Sequence, residues 1–283
     1  MHRFKYITLI FPVYNEKDRV ERVLSYYEKL APVIVIDNYS TDGTMELARA
    51  YSVNIIQYKN NGTTQTREWM EAILPKIDAK HIVFLSASEF IPICTLQIFD
   101  EIAKNGQYGM VNNVIDSYTC GEKIPLWGGR IRGVNRRVQR FFAKDEIDLS
   151  TIIIHGAAGI KDMSRVFNVA DDPRLNIIHI RDSDAYSLMA KHLDYARVEA
   201  LEIMRSGRRF GSGTLMKLLA KECARFLQVP VRQWHAITVR EIWARLVMHT
   251  MIFWQVWELR NSRTLSWSRE QSEKLWNQLI AKE

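Results

Sequence analysis

The 283-residue sequence predicts an α/β protein with a mostly parallel sheet and an α-helical C-terminal extension. Two observations lead to this class. Short apolar runs alternate with helical patterns up to about Phe99, which is typical of a parallel sheet covered by helices on both faces. After Asp182 the pattern becomes helical and stays so. We therefore predict a sheet domain over residues 1–182 and a helical extension over residues 183–283.

The central stretch of the sheet domain is residues 34–44, which read IVIDNYSTDGT. Its apolar, β-branched start predicts a buried strand, and the polar residues and glycine that follow are typical of a turn and a helix N-cap. Met45, Leu47 and Ala48 continue as an apolar stripe, so we expect a helix that starts near Thr41. A strand, a polar turn and a helix in this order place polar groups at the carboxyl end of a parallel sheet.

The other elements follow from the same patterns. Within 7–16, an apolar strand is predicted that runs into a turn marked by Pro12. Further strands are predicted at 53–58, 82–85, 110–115, 138–142, 152–154 and 176–180. In the sheet domain, helices are predicted after the proline-marked turn at Pro12 and at 66–74. In the extension, helices are predicted from 183 or 184 to about 207, at 215–227, and at 242–259 after a capping box at 238–241. A second capping signature at 268–271 predicts one more helix.

Composition and charge narrow the function classes. The three cysteines are far apart, which predicts neither disulfides nor a zinc site and indicates a reducing compartment. The N-terminus lacks a signal-peptide pattern, and no run reaches the about 18 apolar residues of a spanning helix. Between Arg205 and Arg263, eleven Lys and Arg stand against three Glu, an excess of eight. A negatively charged partner would therefore bind the C-terminal third, but no nucleic-acid-binding module is recognisable and nucleic acid is not predicted.

Three segments in a fixed order resemble a known family. Pro12–Glu16 reads PVYNE, Asp37–Thr44 reads DNYSTDGT, and the strand at 82–85 ends in Ser86–Glu89, SASE. This order resembles the inverting, family 2 type of GT-A glycosyltransferase, with a Rossmann-like sheet, and in particular the lipopolysaccharide-core type. The first two segments match closely, whereas the third carries serines where the family has aspartates.

The resemblance implies an enzyme that transfers a sugar, with inversion, from a nucleotide-sugar donor to an acceptor. A UDP-sugar is the first choice of donor, and the acceptor is a cell-envelope or surface glycan or a lipid-linked molecule. Residues 1–99 would then hold the nucleotide and 100–182 the acceptor. The implied donor-site residues are Pro12, Tyr14, Glu16, Asp37, Asn38, Arg67, Ser86 and Ser88. For Asp37 the alternative is a helix cap, and for Arg67 a solvent-facing position on its helix.

The altered third segment affects the metal that the family implies. The family's aspartates hold a divalent cation, and magnesium or manganese need such oxygen ligands. Serines at 86 and 88 lack that charge, which leaves Glu89 and His179 as metal-ligand candidates and makes the metal doubtful. The candidates to neutralise the diphosphate instead are the arginines of one loop, Arg130, Arg132, Arg136 and Arg137. The alternative is that this segment is a solvated surface loop.

An inverting transfer also needs a general base. By the resemblance the candidate is His155, although Gly156 follows it where relatives place a glutamate. Asp162, Asp116 and Glu122 are alternatives between which the sequence does not choose.

The extension contains an apolar segment from Ile242 to Leu259 with Trp243, Trp254 and Trp257. Its interrupting polar residues favour a helix that lies in a membrane interface rather than one that spans it, so we expect a cytoplasmic protein bound to the inner face of a membrane. The alternative is that the same face packs on the sheet domain or on a second copy of the chain. A non-catalytic descendant that binds a nucleotide sugar or glycan is the alternative function.

Overall fold

A computed structural model describes residues 3–60, 66–119, 122–123, 137–151, 158–180, 185–228 and 236–261. The chain divides into two compact units, Met1–Arg181 and Asp182–Glu283. The predictions at 152–154 and 268–271 lie outside the described residues.

The first unit contains twelve described strands and four described α-helices. In chain order they are β1 (Thr8–Val13), α1 (Lys17–Tyr27), β2 (Val33–Asp37), α2 (Thr44–Ala48), β3 (Asn54–Gln57), α3 (Arg67–Ile73), β4 (His81–Phe84), β5 (Glu89–Phe90), α4 (Ile93–Asn105), β6 (Met110–Thr119), β7 (Glu122–Lys123), β8 (Arg137–Ala143), β9 (Ile147–Asp148), β10 (Gly159–Ile160), β11 (Val166–Asn168) and β12 (Ile177–Ile180).

The main sheet has the strand order β3-β2-β1-β4-β8-β6-β12-β5. Strands β3, β2, β1 and β4 are parallel neighbours, and β12 and β11 run parallel to β6. Strand β8 is antiparallel to both β4 and β6, so β4 and β6 point the same way. The predicted α/β class with a mostly parallel sheet is confirmed.

The central strands β1, β2 and β4 are buried on both faces, as their near-continuous apolar sequences predict. Along β1, Leu9 and Phe11 join one core cluster with Leu24 of α1, whereas Ile10 joins the other. Trp69 of α3 lies in this second cluster and packs against Phe84 with ring centroids 6.0 Å apart. Residues alternate between the two faces because successive strand side chains point in opposite directions.

Helix α2 differs from its predicted start. It begins at Thr44 instead of near Thr41. The side chain of Asp42 accepts the backbone N–H of Thr44 at 3.0 Å, and Gly43 before the helix has a left-handed φ of 96°. These residues form a turn rather than a first helical turn, because a left-handed residue cannot continue a right-handed helix.

The second unit contains three described helices, α5 (Ala185–Arg205), α6 (Ser212–Gln228) and α7 (Ala236–Arg260). Helices α5 and α6 both contact α7. Ala196 and Ala200 of α5 pack with Ile252 and Val256 of α7, and small residues on one helix allow such close approach. Helix α7 starts before the predicted capping box, which therefore lies inside it. Within the described residues, no helix is both long and apolar enough to cross a bilayer.

Candidate functional site

The polar residues of the three motif segments meet at one edge of the sheet. Because β1, β2, β4, β6 and β12 all run the same way, their carboxyl ends lie along this edge. The edge carries Asp37 at the end of β2, Ser86 and Ser88 after β4, and His179 near the end of β12. In open α/β sheets ligands bind outside the carboxyl ends of the strands.

The turns after β1 and β2 are hydrogen-bonded to each other. The N–H of Asn15 donates to the hydroxyl of Ser40 at 3.0 Å, and the Asn15 side-chain oxygen accepts the N–H of Thr41 at 2.9 Å. The N–H of Glu16 donates to the Thr44 hydroxyl at 2.8 Å. The two matching motifs of the sequence thus form a single structural unit, although about 25 residues separate them.

Both turns contain a residue with left-handed backbone. Asn15 has a φ of 53° and Tyr39 a φ of 57°, and they are the only non-glycine residues with positive φ in the part of the chain that the structure describes. Such backbone costs of order 1–3 kcal/mol per residue and concentrates at ligand sites. Tyr39 itself, and Tyr14 next to Asn15, are exposed.

Asp37 is fully buried at the centre of this unit. Its carboxylate accepts the N–H of Ser40 at 3.1 Å and the side-chain amide of Gln57 at 3.3 Å. Next to it, the Asn38 side chain accepts the N–H of Asn60 at 2.7 Å and donates to the Asn60 side-chain oxygen at 3.0 Å. The alternative of a helix cap does not describe Asp37, because α2 begins seven residues further on.

The other predicted donor residues are placed differently. Pro12 is half-buried within β1, and Glu16 forms an ion pair with Arg19 at 2.7 Å. Arg67 opens α3, is exposed, and forms an ion pair with Glu71 on its own helix at 2.8 Å. Arg67 therefore has the solvent-facing position on its helix that was the alternative to a donor-binding role.

The third motif segment forms a chain of hydroxyl contacts with β12. The hydroxyls of Ser86 and Ser88 are 2.8 Å apart, and Nε2 of His179 is hydrogen-bonded to the Ser88 hydroxyl at 3.1 Å. The register of β12 against β5 places His179 opposite Glu89. The structure therefore brings together Ser86, Ser88, Glu89 and His179, which are 93 residues apart at the extremes.

Glu89 is buried and is held by an arginine to which sequence reasoning gave no role. Its two oxygens accept Nε of Arg140 at 2.9 Å and Nη2 of Arg140 at 2.5 Å. Burial by itself would raise the pKa of Glu89. The charge and hydrogen bonds of Arg140, the charge of His179 and the N–H of Ser86 act in the opposite direction and lower the pKa below the ordinary range of a glutamate. Glu89 is therefore ionised at neutral pH.

These residues do not fit a divalent metal. Both oxygens of Glu89 are engaged by Arg140, and Oε2 also accepts the Ser86 N–H at 3.2 Å. Ser86 and Ser88 offer neutral hydroxyls, whereas magnesium and manganese bind tightly through carboxylates. Across the described ranges, no group of three His, Cys, Asp or Glu is arranged to hold a metal ion.

The remaining candidates are only partly described. Arg137 is exposed and donates from Nη1 to the carbonyls of Asn112 at 3.2 Å and Val169 at 2.9 Å, so it ties β8 to neighbouring segments. Arg130, Arg132, Arg136 and the candidate base His155 lie outside the described residues.

The alternative bases have other contacts. Asp116 is buried and forms an ion pair with Lys123 at 2.8 Å. Asp162 is exposed and accepts both the N–H and the hydroxyl of Ser164, and those hydrogen bonds lower its pKa. Glu122 lies in β7 beside β6.

Two residues of the site were missed from the sequence. Tyr39 had a detectable signal, because a bulky residue in the middle of a tight polar turn is unusual. Arg140 had none, since it lies 51 positions from its partner within an ordinary strand pattern.

A cluster of polar residues at the carboxyl edge of a mostly parallel sheet is where α/β proteins bind their ligands. Residues 8–159, more than half of the chain, match the sequence profile of the family described as glycosyl transferase family 2. The chain belongs to that family, which confirms the resemblance of the motifs and the GT-A assignment of the sheet.

Comparison with individual proteins gives one sequence relative and several solved structures. Glycosyltransferase AglJ of Haloferax volcanii is 35% identical over 81 residues, which are 28% of this chain and 26% of that relative, so the match spans about a quarter of its length. The mannosyltransferase PcManGT of Pyrobaculum calidifontis, with GDP-Man and Mn2+, is 13% identical at a TM-score of 0.43, covering 98% of this chain and 84% of that one. TarS 1–349 of S. aureus, with UDP-GlcNAc, is 13% identical at a TM-score of 0.45, covering 90% and 92%.

Proposed function

We propose that this protein transfers a sugar from a nucleotide-sugar donor, a UDP-sugar in the first instance, to a cell-envelope or surface glycan or a lipid-linked acceptor, with inversion and without a divalent metal. Membership of glycosyl transferase family 2 supports the reaction class. The observation that carries the donor assignment is the joined pair of strained turns around Asp37.

The chemistry of the donor suits this arrangement. A nucleobase needs a stacking surface and a partner for its polar edge, and the two joined turns next to the buried Asp37 carry the exposed residues Tyr14 and Tyr39. A charged acceptor makes a stronger hydrogen bond to a base N–H than a neutral one does. We assign Asp37 to the base edge, reached when the Asn38–Ser40 turn rearranges around the ligand.

Inversion proceeds in one displacement. The acceptor oxygen attacks the face of the anomeric carbon opposite the diphosphate, the carbon–oxygen bond to the diphosphate breaks, and its electron pair stays on the leaving group. The acceptor proton passes to a base, for which we retain His155. The protein must then stabilise the charge on the diphosphate, a task that arginine performs in sites without a metal.

The test begins with thermal stabilisation by a panel of UDP- and GDP-sugars. A ligand at a hundred times its dissociation constant should add about 2.7 kcal/mol to the free energy of unfolding. The stabilising donor is then assayed for transfer and hydrolysis with and without EDTA, and we expect turnover in both. Absence of stabilisation by every donor contradicts the proposal. A large loss on chelation that manganese restores contradicts its metal-free part.

A non-catalytic nucleotide-sugar-binding protein is the second candidate. It is favoured by the serines at 86 and 88 and by the engagement of Glu89 with Arg140. The same experiment separates the two functions. A protein that binds the donor, but neither transfers its sugar to a tested acceptor nor hydrolyses it, supports this candidate alone.

We further propose that the helical unit binds the cytoplasmic face of a membrane. Helix α7 buries Ile252 and Val256 within the unit, while Trp243, Trp254 and Trp257 are exposed on its other side. The rings of Trp254 and Trp257 lie 5.7 Å apart. Tryptophan prefers the depth of the lipid headgroups, and the excess of basic residues adds attraction to anionic lipid.

The membrane proposal predicts flotation with anionic vesicles at low ionic strength. Replacing Trp243, Trp254 and Trp257 together by Gln should reduce the bound fraction at least about tenfold, since each buried aromatic side chain contributes of order 1 kcal/mol or more. Tyr186→Gln, at an exposed aromatic residue of α5, is the matched control and should bind as the unsubstituted protein does. Full-length protein that ignores anionic vesicles contradicts the proposal and favours a protein partner or a second copy on this face.

A further inference from the structure

Arg140 contacts the altered third motif segment directly, through Glu89. It forms a two-pronged ion pair with Glu89, whose side chain is 2% exposed, and its own side chain is 21% exposed. Glu89 in turn accepts the N–H of Ser86, the first of the two serines. The guanidinium, the two serine hydroxyls and His179 therefore lie within one hydrogen-bonded group at the carboxyl edge.

An irregularity in the sheet positions this arginine. In the pairing of β6 with β8, Val111 faces Phe141 and the next residue, Asn112, faces Gln139. Arg140 is thus the extra residue of a β-bulge on β8. On the other side of β8, Phe141 pairs with Val83 of β4, so Arg140 lies beside the carboxyl end of β4. Bulges commonly redirect a side chain toward a functional site.

The hydrogen bonds of Arg140 leave part of the guanidinium available. A guanidinium has five N–H donors. Nε and Nη2 donate to Glu89, and Nη1 donates to the Gln139 carbonyl at 3.2 Å. Among contacts with the described residues, one N–H of Nη1 and one of Nη2 have no acceptor. Glu89 occupies the side of the guanidinium formed by Nε and Nη2, so the end of the fork, formed by Nη1 and Nη2, is the edge through which two phosphate oxygens can be bound.

We propose that Arg140 binds the donor diphosphate through this edge, at the place where relatives of the family are expected to hold a metal ion. The inference rests on the proposed function and adds a residue to it. Glu89 orients the guanidinium, and the hydroxyls of Ser86 and Ser88 are neutral donors to the same phosphate group. When the bond to the anomeric carbon breaks, the charge that develops on the leaving oxygen is stabilised by Arg140.

Arg137 is a weaker candidate for this role among the described residues. Its Nη1 donates to the carbonyls of Asn112 and Val169, neither of which belongs to the third motif segment. Arg140 is preferred because its carboxylate partner, Glu89, is part of that segment.

The test compares nucleoside diphosphate with monophosphate, in EDTA throughout. Loss of Arg140 alone leaves a buried carboxylate, so the double variant Glu89→Gln/Arg140→Gln is used, which removes both charges. We expect affinity for UDP, or for GDP if the protein prefers guanine, to fall about 10–100-fold, as for loss of charged hydrogen bonds. Affinity for UMP or GMP should stay the same, which a merely structural role would not produce. Arg140→Lys, which keeps a charge without the fork, should give an intermediate loss.

Arg174→Gln is the matched control, because it removes an exposed arginine that is also paired with a carboxylate. It should bind both nucleotides as the unsubstituted protein does. A double variant that still prefers the diphosphate by the original factor overturns the role of Arg140 and leaves the proposed function intact. Unsubstituted protein that binds no nucleotide overturns both, and a preference for the diphosphate that requires added manganese overturns the role of Arg140 in favour of a metal.

Discussion

Asp37→Ala will remove about half or more of the stabilisation of this protein by its nucleotide donor. The carboxylate is buried between the two joined turns, where it supports the Ser40 backbone and, in our proposal, the base edge. Loss of a charged hydrogen bond raises a dissociation constant about 10–100-fold. At a ligand concentration that gives about 2.7 kcal/mol to the unsubstituted protein, a hundredfold weaker variant gains only about 0.4 kcal/mol.

Thermal unfolding with and without donor measures this effect. Asp37→Asn keeps the volume of the side chain and its contact with the turn, so it separates loss of charge from loss of packing. Asp78→Asn, at an exposed aspartate between α3 and β4, is the charge-matched control. Full donor stabilisation in both Asp37 variants would remove the donor site from this edge of the sheet.

Arg140→Gln will cause a large loss of folding stability. It leaves the buried charge of Glu89 without its guanidinium partner, and breaking a buried ion pair on one side costs about 3–5 kcal/mol. Replacing both members by Gln removes the uncompensated charge and should recover most of that loss. Urea unfolding of the single variants and the double variant gives the coupling between the two residues. Equal stability of Arg140→Gln and the unsubstituted protein would show that the pair does not form.

The same pair predicts a dependence of stability on pH. The pKa of Glu89 is lower in the folded protein than in the unfolded chain, where it is about 4.3. Its contribution is therefore complete above the unfolded pKa and is lost as pH falls through the folded pKa. Hydrogen bonds also lower the pKa of other carboxylates, namely Asp42, Asp148, Asp162 and Asp172. The test therefore compares the loss of folding stability at low pH in the double variant with that in the unsubstituted protein. The double variant should lose less stability than the unsubstituted protein below about pH 4.3.

Local pattern was sufficient for most elements of the sheet. The apolar runs that became β1, β2 and β4 are buried on both faces, and such continuous runs distinguish central parallel strands from half-exposed ones. The start of α2 was predicted wrongly because Thr41 and Asp42 suit either a helix cap or a turn. The choice was made by contacts with the other turn, from Thr41 to Asn15 and from Lys17 to Asp42, which local sequence does not contain.

The candidate site divides in the same way. The two motif segments identified the turns around Asp37, since short-range turn chemistry and the family resemblance both lie within a few residues. The same resemblance did not identify Arg140. Its contact with Glu89 depends on β8 lying between β4 and β6, and on a bulge that shifts the register by one residue.

The sequence by itself therefore determined the class of fold, the order of its elements, the family and the position of the two turns around Asp37, because these depend on periodicity and on residues close together in the chain. Only the tertiary structure decided which charges meet. Glu89 and Arg140 are 51 residues apart in the sequence. They meet because β8, which carries Arg140, pairs antiparallel to β4, and the same place holds the two serines that follow β4 and His179 of β12. Burial then makes this contact strong, because a carboxylate removed from water requires its cation.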